Sequence, residues 1–329
     1  MPYTTQRFTI GPDDAGRRLD RILRALYADK PLSFVYRLFR EGSVRLDGKR
    51  AEGSTHTAAG DVVEVRLLST TPHPGAASGP VDRQAARRFQ SMIILETADL
   101  VVINKPAGIL THGPDGIDTL ARAYFAERMA LSLAFVPAPL HRLDRNTSGA
   151  LAVSASLKGA MAFSEALRTG LVRKTYLALL EGDLATAALW EDSMERDTGT
   201  RTSIAAAEGK TAVAHAWPLI RCNGYTLASI ELRTGRTHQI RAQAAWRGHA
   251  LAGDVKYGGR PFHGSTSLDG GYFLHCMRLA TPPGVGSTEG LNVIAPPSSQ
   301  AIQLLQSVLG QFPVAVLNGT IINKNGNNP

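Results

Sequence analysis

The part of this chain best suited to chemistry is one aspartate with an arginine close on either side. Residues 141 to 149 read His-Arg-Leu-Asp-Arg-Asn-Thr-Ser-Gly, so Asp144 stands between Arg142 and Arg145 at the edge of an apolar stretch. Flanking guanidiniums let such a carboxylate stay ionised while partly desolvated, and let it meet a polyanion without repelling it. That makes Asp144 a candidate nucleophile toward RNA. The same Arg-Leu-Asp-Arg also suits a loop aspartate that caps a helix or pairs with an arginine, so the rest of the chain must decide.

Other chemistries fail on their own spacing. Glu208-Gly209-Lys210-Thr211 ends like a phosphate-binding loop, but Ile204 stands where the first glycine is needed. Ser148 precedes a glycine, yet Asn146 removes the Gly-x-Ser-x-Gly elbow. The nine histidines show no metal-ligand spacing, and neither do Cys222 and Cys276, so no metal is expected. Two cysteines, a start without an apolar signal core and no apolar run of transmembrane length point to the reducing cytoplasm. The formal net charge of +8 favours an acidic partner, nucleic acid first. Residues 1 to 90 carry fifteen Lys and Arg against ten Asp and Glu, +5 of that +8.

The elements that must position Asp144 fall into two domains. Residues 16 to 28 place Leu19, Ile22, Leu23 and Leu26 at helical spacing with Arg17, Arg18, Arg21 and Arg24 largely opposite, one basic amphipathic helix. Ser33 reads as the N-cap of a second helix that turns Phe34, Val35 and Leu38 inward and Arg37 and Arg40 outward, and that stops at Gly42. Strands are expected at 44 to 46, which carries Arg45 into the turn Asp47-Gly48, and at 62 to 65. A stretch rich in Pro, Gly and Ser follows, so residues 1 to 68 form a small domain and 69 to 90 a flexible linker. In the remainder, 91 to 312, strands are expected at 92–95, 100–103, 150–155, 174–180, 212–220 and 225–233, and helices near 117–129, 157–169, 237–247 and 298–309. Several tight hairpin spacings argue for an α+β domain with a mixed, mainly antiparallel sheet. Residues 313 to 329 read as a frayed C-terminal tail.

Three further segments line up behind the first: Val102 to Gly108, Arg173 to Leu179, and Leu232 to Arg241 continued by Gly248 to Gly258. Together they make residues 100 to 280 resemble the RluA-type pseudouridine synthases. Arg-Leu-Asp at 18–20, Tyr-Arg-Leu-Phe-Arg-Glu-Gly at 36–42 and Gly-Asp-Val-Val-Glu-Val at 60–65 resemble the RNA-binding module of ribosomal protein S-four. The branch that joins the two acts on large-subunit ribosomal RNA. The resemblance implies a synthase-type catalytic domain, an S-four-like α/β domain, and isomerisation of uridine to pseudouridine by base flipping, without cofactor or energy input. It gives Asp144 the role of nucleophile, Arg236 that of its arginine partner ahead of a helix capped by Thr237, and Tyr176 that of a platform for the flipped base. Arg142 would fill the space the base leaves. Arg145, Arg18, Arg21, Arg37, Arg40 and Arg45 would contact RNA, while Lys105 would either touch RNA or hold its loop. A monomer is expected.

The chain departs from the family pattern at Ala242-Gln243 and at Thr281-Pro282-Pro283, which bears on substrate choice more than on activity. The rival readings are a non-catalytic RNA-binding or ribosome-assembly protein and a hydrolase acting at a glycosidic bond. The first would have lost one of Asp144, Tyr176 and Arg236, and the second needs another acid that no motif supplies.

Overall fold

Leu19, Ile22 and Leu23 do share one helix face, and all three are fully buried. The computed structural model describes residues 3–68, 82–129, 132–197, 199–200, 202–262, 268 and 271–310. They form two compact units. The first runs β1 (Tyr3–Thr9), α1 (Leu19–Leu26), α2 (Leu32–Arg40), β2 (Val44–Leu46), β3 (Lys49–Arg50), β4 (Val62–Leu68) and α3 (Arg83–Gln90), and takes in residues 120–138 and 155–158. Its strands make an antiparallel sheet in the order β1-β4-β2-β3. Phe8, Val63, Val65 and Leu67 of the sheet share a core with Leu19, Ile22, Leu23, Val35 and Leu38 of the helices. Arg21, Arg37, Arg40 and Arg45 remain exposed.

Three expectations for this region change. Strand β1 is missing from the sequence reading because Phe8 is its only buried apolar residue; its other inward residue, Gln6, instead accepts a 2.7 Å hydrogen bond from the buried Tyr27 hydroxyl. Helix α2 starts at Leu32 after Pro31, so Ser33 lies inside its first turn and is not the cap. The last part of the expected linker is helix α3, because Phe89 buries its ring against Tyr124 and Phe125, with centroids 5.2 and 6.1 Å away. Residues 69–81 and the expected tail lie outside the described residues. The second unit also does not fill 91 to 312 without interruption, since 120–138 and 155–158 pack with the first.

The second unit holds β5 (Ile93–Glu96), β6 (Leu100–Lys105), the start of α4 (Ile117–Tyr124), β7 (Ser148–Ser154), most of α6 (Leu157–Arg168), β8 (Arg173–Glu181), β9 (Ala188–Arg196), β10 (Ser203–Ala205), β11 (Lys210–Cys222), β12 (Tyr225–Leu232), α7 (Gln239–Trp246), β13 (Leu274–Ala280), β14 (Asn292–Ile294) and α8 (Ser299–Leu309); the short α5 (Ala126–Met129) belongs to the first. Among the described residues its sheet has ten strands, ordered β10-β9-β11-β12-β8-β13-β7-β6-β5 with β14 on β13. Every pair is antiparallel except β13 with β7. This is the mixed, mainly antiparallel α+β architecture expected. The β11–β12 hairpin turns on Asn223-Gly224 with φ of 53° and 76°, the left-handed pair that a two-residue turn needs. Among the described residues no helix is long and apolar enough to cross a membrane.

Candidate active site

Asp144 lies in the segment entering β7, and that segment is fixed from several sides. The Leu143 N–H donates to Thr111 Oγ1, whose hydroxyl donates back to the Leu143 carbonyl at 2.7 Å. The Arg145 carbonyl accepts from the Gly108 N–H at 2.9 Å, and the Arg145 Nε–H donates to the Gly108 carbonyl at 3.0 Å. Beneath them Lys105 is fully buried and donates to the carbonyls of Pro106, Ile109 and Arg145 at 2.9, 2.9 and 3.1 Å. Burial pushes its pKa down to about 8, with Asp144 opposing. Lys105 therefore holds the loop and has no donor left for RNA, which removes it from the expected contacts. Gly149 has φ +109° and sits against the Cys276 backbone of β13, where any Cβ would collide.

The arginine that faces Asp144 is Arg241, not Arg236. Its Nη1 lies 3.7 Å from Asp144 Oδ2, while the exposed Arg236 donates from Nε to the Thr211 carbonyl at 2.9 Å. Arg241 projects from α7, a helix buried from Gln239 to Gln243, and a buried guanidinium needs an anion. Asp254 provides one, accepting from Nε at 2.6 Å and Nη2 at 2.8 Å. The rings of Tyr257 and Tyr272 lie 4.9 and 4.7 Å from the guanidinium carbon. Burial works against its charge, but the Asp254 hydrogen bonds together with the charge interactions of Tyr272, Asp254 and Asp144 outweigh it and hold its pKa above the ordinary value. Thr237 is not the cap of α7: His238 occupies that position at φ 51°, and the Gln239 side chain accepts from the Arg236 N–H at 3.0 Å.

His238 Nε2 stands 4.0 Å from Asp144 Oδ2. Its Nδ1 is 2.8 Å from the Tyr257 hydroxyl, whose oxygen accepts from the Ser203 N–H, also at 2.8 Å. The Tyr257 hydroxyl thus fixes the orientation of the imidazole and leaves Nε2 turned toward the carboxylate. Burial lowers the His238 pKa, against the pull of Asp144. Tyr176, 4% exposed on β8, lines the same cavity of about 420 Å³ as Asp144 and Arg241, together with Arg142 and Lys174. Burial raises its pKa well above 10, so its hydroxyl stays protonated and does not serve as a base at neutral pH.

Comparison with known proteins gives this cavity a context. The ribosomal large subunit pseudouridine synthase C of Vibrio vulnificus is 30% identical over 312 residues, covering 91% of this chain and 95% of the relative. The chain belongs to the RNA pseudouridylate synthase family. The family model described as RNA pseudouridylate synthase matches residues 99–246, which include Asp144, Tyr176 and Arg241. The Yersinia pestis protein with the same name as the Vibrio relative is 33% identical over 309 residues, 90% of this chain and 93% of its own. The solved structure of human RNA pseudouridylate synthase domain containing 4 shares the fold, with TM-score 0.57 and 21% identity over 69% of this chain and 97% of its own.

In this synthase Asp144, Tyr176, Arg142 and Arg236 of the expected residues line one cavity, but the exposed Arg236 side chain bonds the Thr211 carbonyl. Arg145 stays exposed but is tied to Gly108, and Arg18 is paired with Asp20 at 2.8 Å. The sequence reading missed Arg241, Asp254, His238, Tyr257 and Tyr272. Arg241 was within reach of it: an arginine amid Ile240, Ala242 and Ala244 signals a buried charge that must have a partner.

Proposed function

We propose that this synthase, acting as a monomer in the cytoplasm, converts specific uridines of large-subunit ribosomal RNA to pseudouridine, with Asp144 carrying the covalent chemistry. The observation behind this reading is the presentation of Asp144: its loop is fixed on both sides, and its carboxylate opens into a cavity opposite a guanidinium already oriented by Asp254. The names of the relatives supply the class of RNA.

The target nucleotide leaves its stack and enters the cavity. Tyr176 offers a ring in place of the lost stacking, a contribution of about 1–3 kcal/mol, and exposed Arg142 occupies the gap in the RNA. Asp144 then either attacks C1′ or removes the ribose 2′ proton, and in both routes the C1′–N1 bond breaks with its electron pair leaving on the uracil. The base turns and C5 bonds to C1′, which releases the Asp144 oxygen from C1′ in the first route or is matched by return of the proton from Asp144 to C2′ in the second; the C5 proton leaves and N1 gains one, so the product is an isomer of the substrate. The basic first unit, with Arg21, Arg37, Arg40 and Arg45 exposed, is suited to hold structured RNA by its phosphates.

Pseudouridine mapping of ribosomal RNA from cells with and without the protein tests the substrate, because isomerisation leaves mass unchanged. Asp144→Asn tests the site: we expect RNA binding to persist and C5-tritium release from labelled RNA to stop. Retained turnover by the purified variant refutes the assignment.

A further inference from the structure

Lys174 has no part in the scheme above, yet it occupies the same cavity. Two residues before Tyr176 on β8, it shares that residue's face of the strand. It lines the cavity with Asp144 and is 7% exposed. Its Nζ lies 3.6 Å from the point where Gly235 would carry a Cβ, so it rests against bare backbone at the cavity wall. Among the described residues no carboxylate comes within ion-pair distance of it. Of its titratable neighbours, burial pushes the Cys276 thiol up to about 12 and the His141 imidazole down to about 3, and Cys276 opposes the effect of burial on Lys174 without overcoming it. Burial lowers the pKa of Lys174 too. An ammonium kept in such a place is costly unless an anion arrives to pair with it.

The reaction generates one. We propose that Lys174 is a catalytic residue whose Nζ–H donates to the anionic uracil released when the C1′–N1 bond breaks. The bond's electron pair spreads over N1, O2 and O4, the ammonium keeps its proton, and the charge is consumed when C5 attacks C1′. This holds for either route at Asp144, and it rests on the reading that uridine is cleaved in this cavity.

The test uses the full chain and compares Lys174→Met, Lys174→Arg and Asp144→Asn on uridine RNA and on the same RNA with 5-fluorouridine at the target. 5-Fluorouracil is the more acidic leaving group and needs less help. Lys174→Met is expected to slow single-turnover cleavage roughly 100-fold on uridine, the size typical of removing one donor to a developing anion. The defect should shrink on 5-fluorouridine, RNA affinity should stay within about twofold, and Tm should hold or rise because a buried unpaired charge is gone. Lys174→Arg, which keeps the charge, is expected to recover part of the rate. Weakened RNA affinity at an unchanged single-turnover rate would mark a phosphate contact and overturn the proposal. So would a lower Tm with equal defects on both substrates, which marks packing. Activity in Asp144→Asn would sink the parent reading instead, and the leaving-group comparison would still judge Lys174 separately.

Discussion

Asp254 grips Arg241 by two of its three guanidinium nitrogens, Nε at 2.6 Å and Nη2 at 2.8 Å, and so presents the third, Nη1, to Asp144 at 3.7 Å. One buried carboxylate thus aims the cation that faces the other. In Asp254→Asn the shape survives but the ion pair does not. We expect kcat to fall about 10–100-fold, the range for losing a partner that orients an active-site group, with little change in RNA affinity. Stability should drop by about 3 kcal/mol because a buried charge loses its mate. Chemical denaturation and single-turnover kinetics on one preparation measure both.

The two arginines of residues 232–241 should part company on mutation. Arg241→Met is expected to lower kcat roughly 100-fold or more. Arg236→Met, at an exposed site bonded to one backbone carbonyl, should change stability by no more than about 0.5 kcal/mol and leave kcat near wild type. The reverse order would restore Arg236 as the partner of Asp144.

Much of this was legible in the sequence, and the misses have physical causes. Strand runs such as Leu100 to Ile103 and Leu177 to Leu180 are buried on both faces, so their composition alone revealed them. Strand β9, Ala-Leu-Trp-Glu-Asp-Ser-Met-Glu-Arg, has only Trp190 and Met194 buried, and that sparse signal hid it. Asp144 and Tyr176 stood out because their segments have distinctive neighbours. Arg241, the Asp254–Tyr257 turn and Tyr272 come from three separate segments, and only folding shows that they share one charge.

Lys105→Met tests whether this lysine builds the loop. It leaves three carbonyls without their donor, so we expect a loss of at least about 2 kcal/mol, and a lower kcat as Asp144 loses its support. RNA affinity measured across salt concentrations should not move. A reduced salt dependence would return Lys105 to the RNA-contacting set.

The exposed arginines of the first unit are expected to act on binding alone. Arg37→Gln, Arg40→Gln and Arg45→Gln combined should raise KM and flatten the slope of log affinity against log salt by about 0.7–0.9 for each phosphate that is no longer neutralised. At saturating RNA, kcat should match wild type. An unaltered slope would remove this face from the interface.

Among the described residues the one parallel pairing in the large sheet, β7 with β13, joins Ser148 and Gly149 to His275 and Cys276 across more than a third of the chain. Pairings of such long sequence separation form late, after the entropy of closing the intervening loop has been met. A nascent chain can therefore display every residue of the Asp144 segment while the strand that seats Gly149 has yet to be synthesised. The reactive geometry around Asp144 is completed only after the strand carrying His275 and Cys276 has been made and has paired.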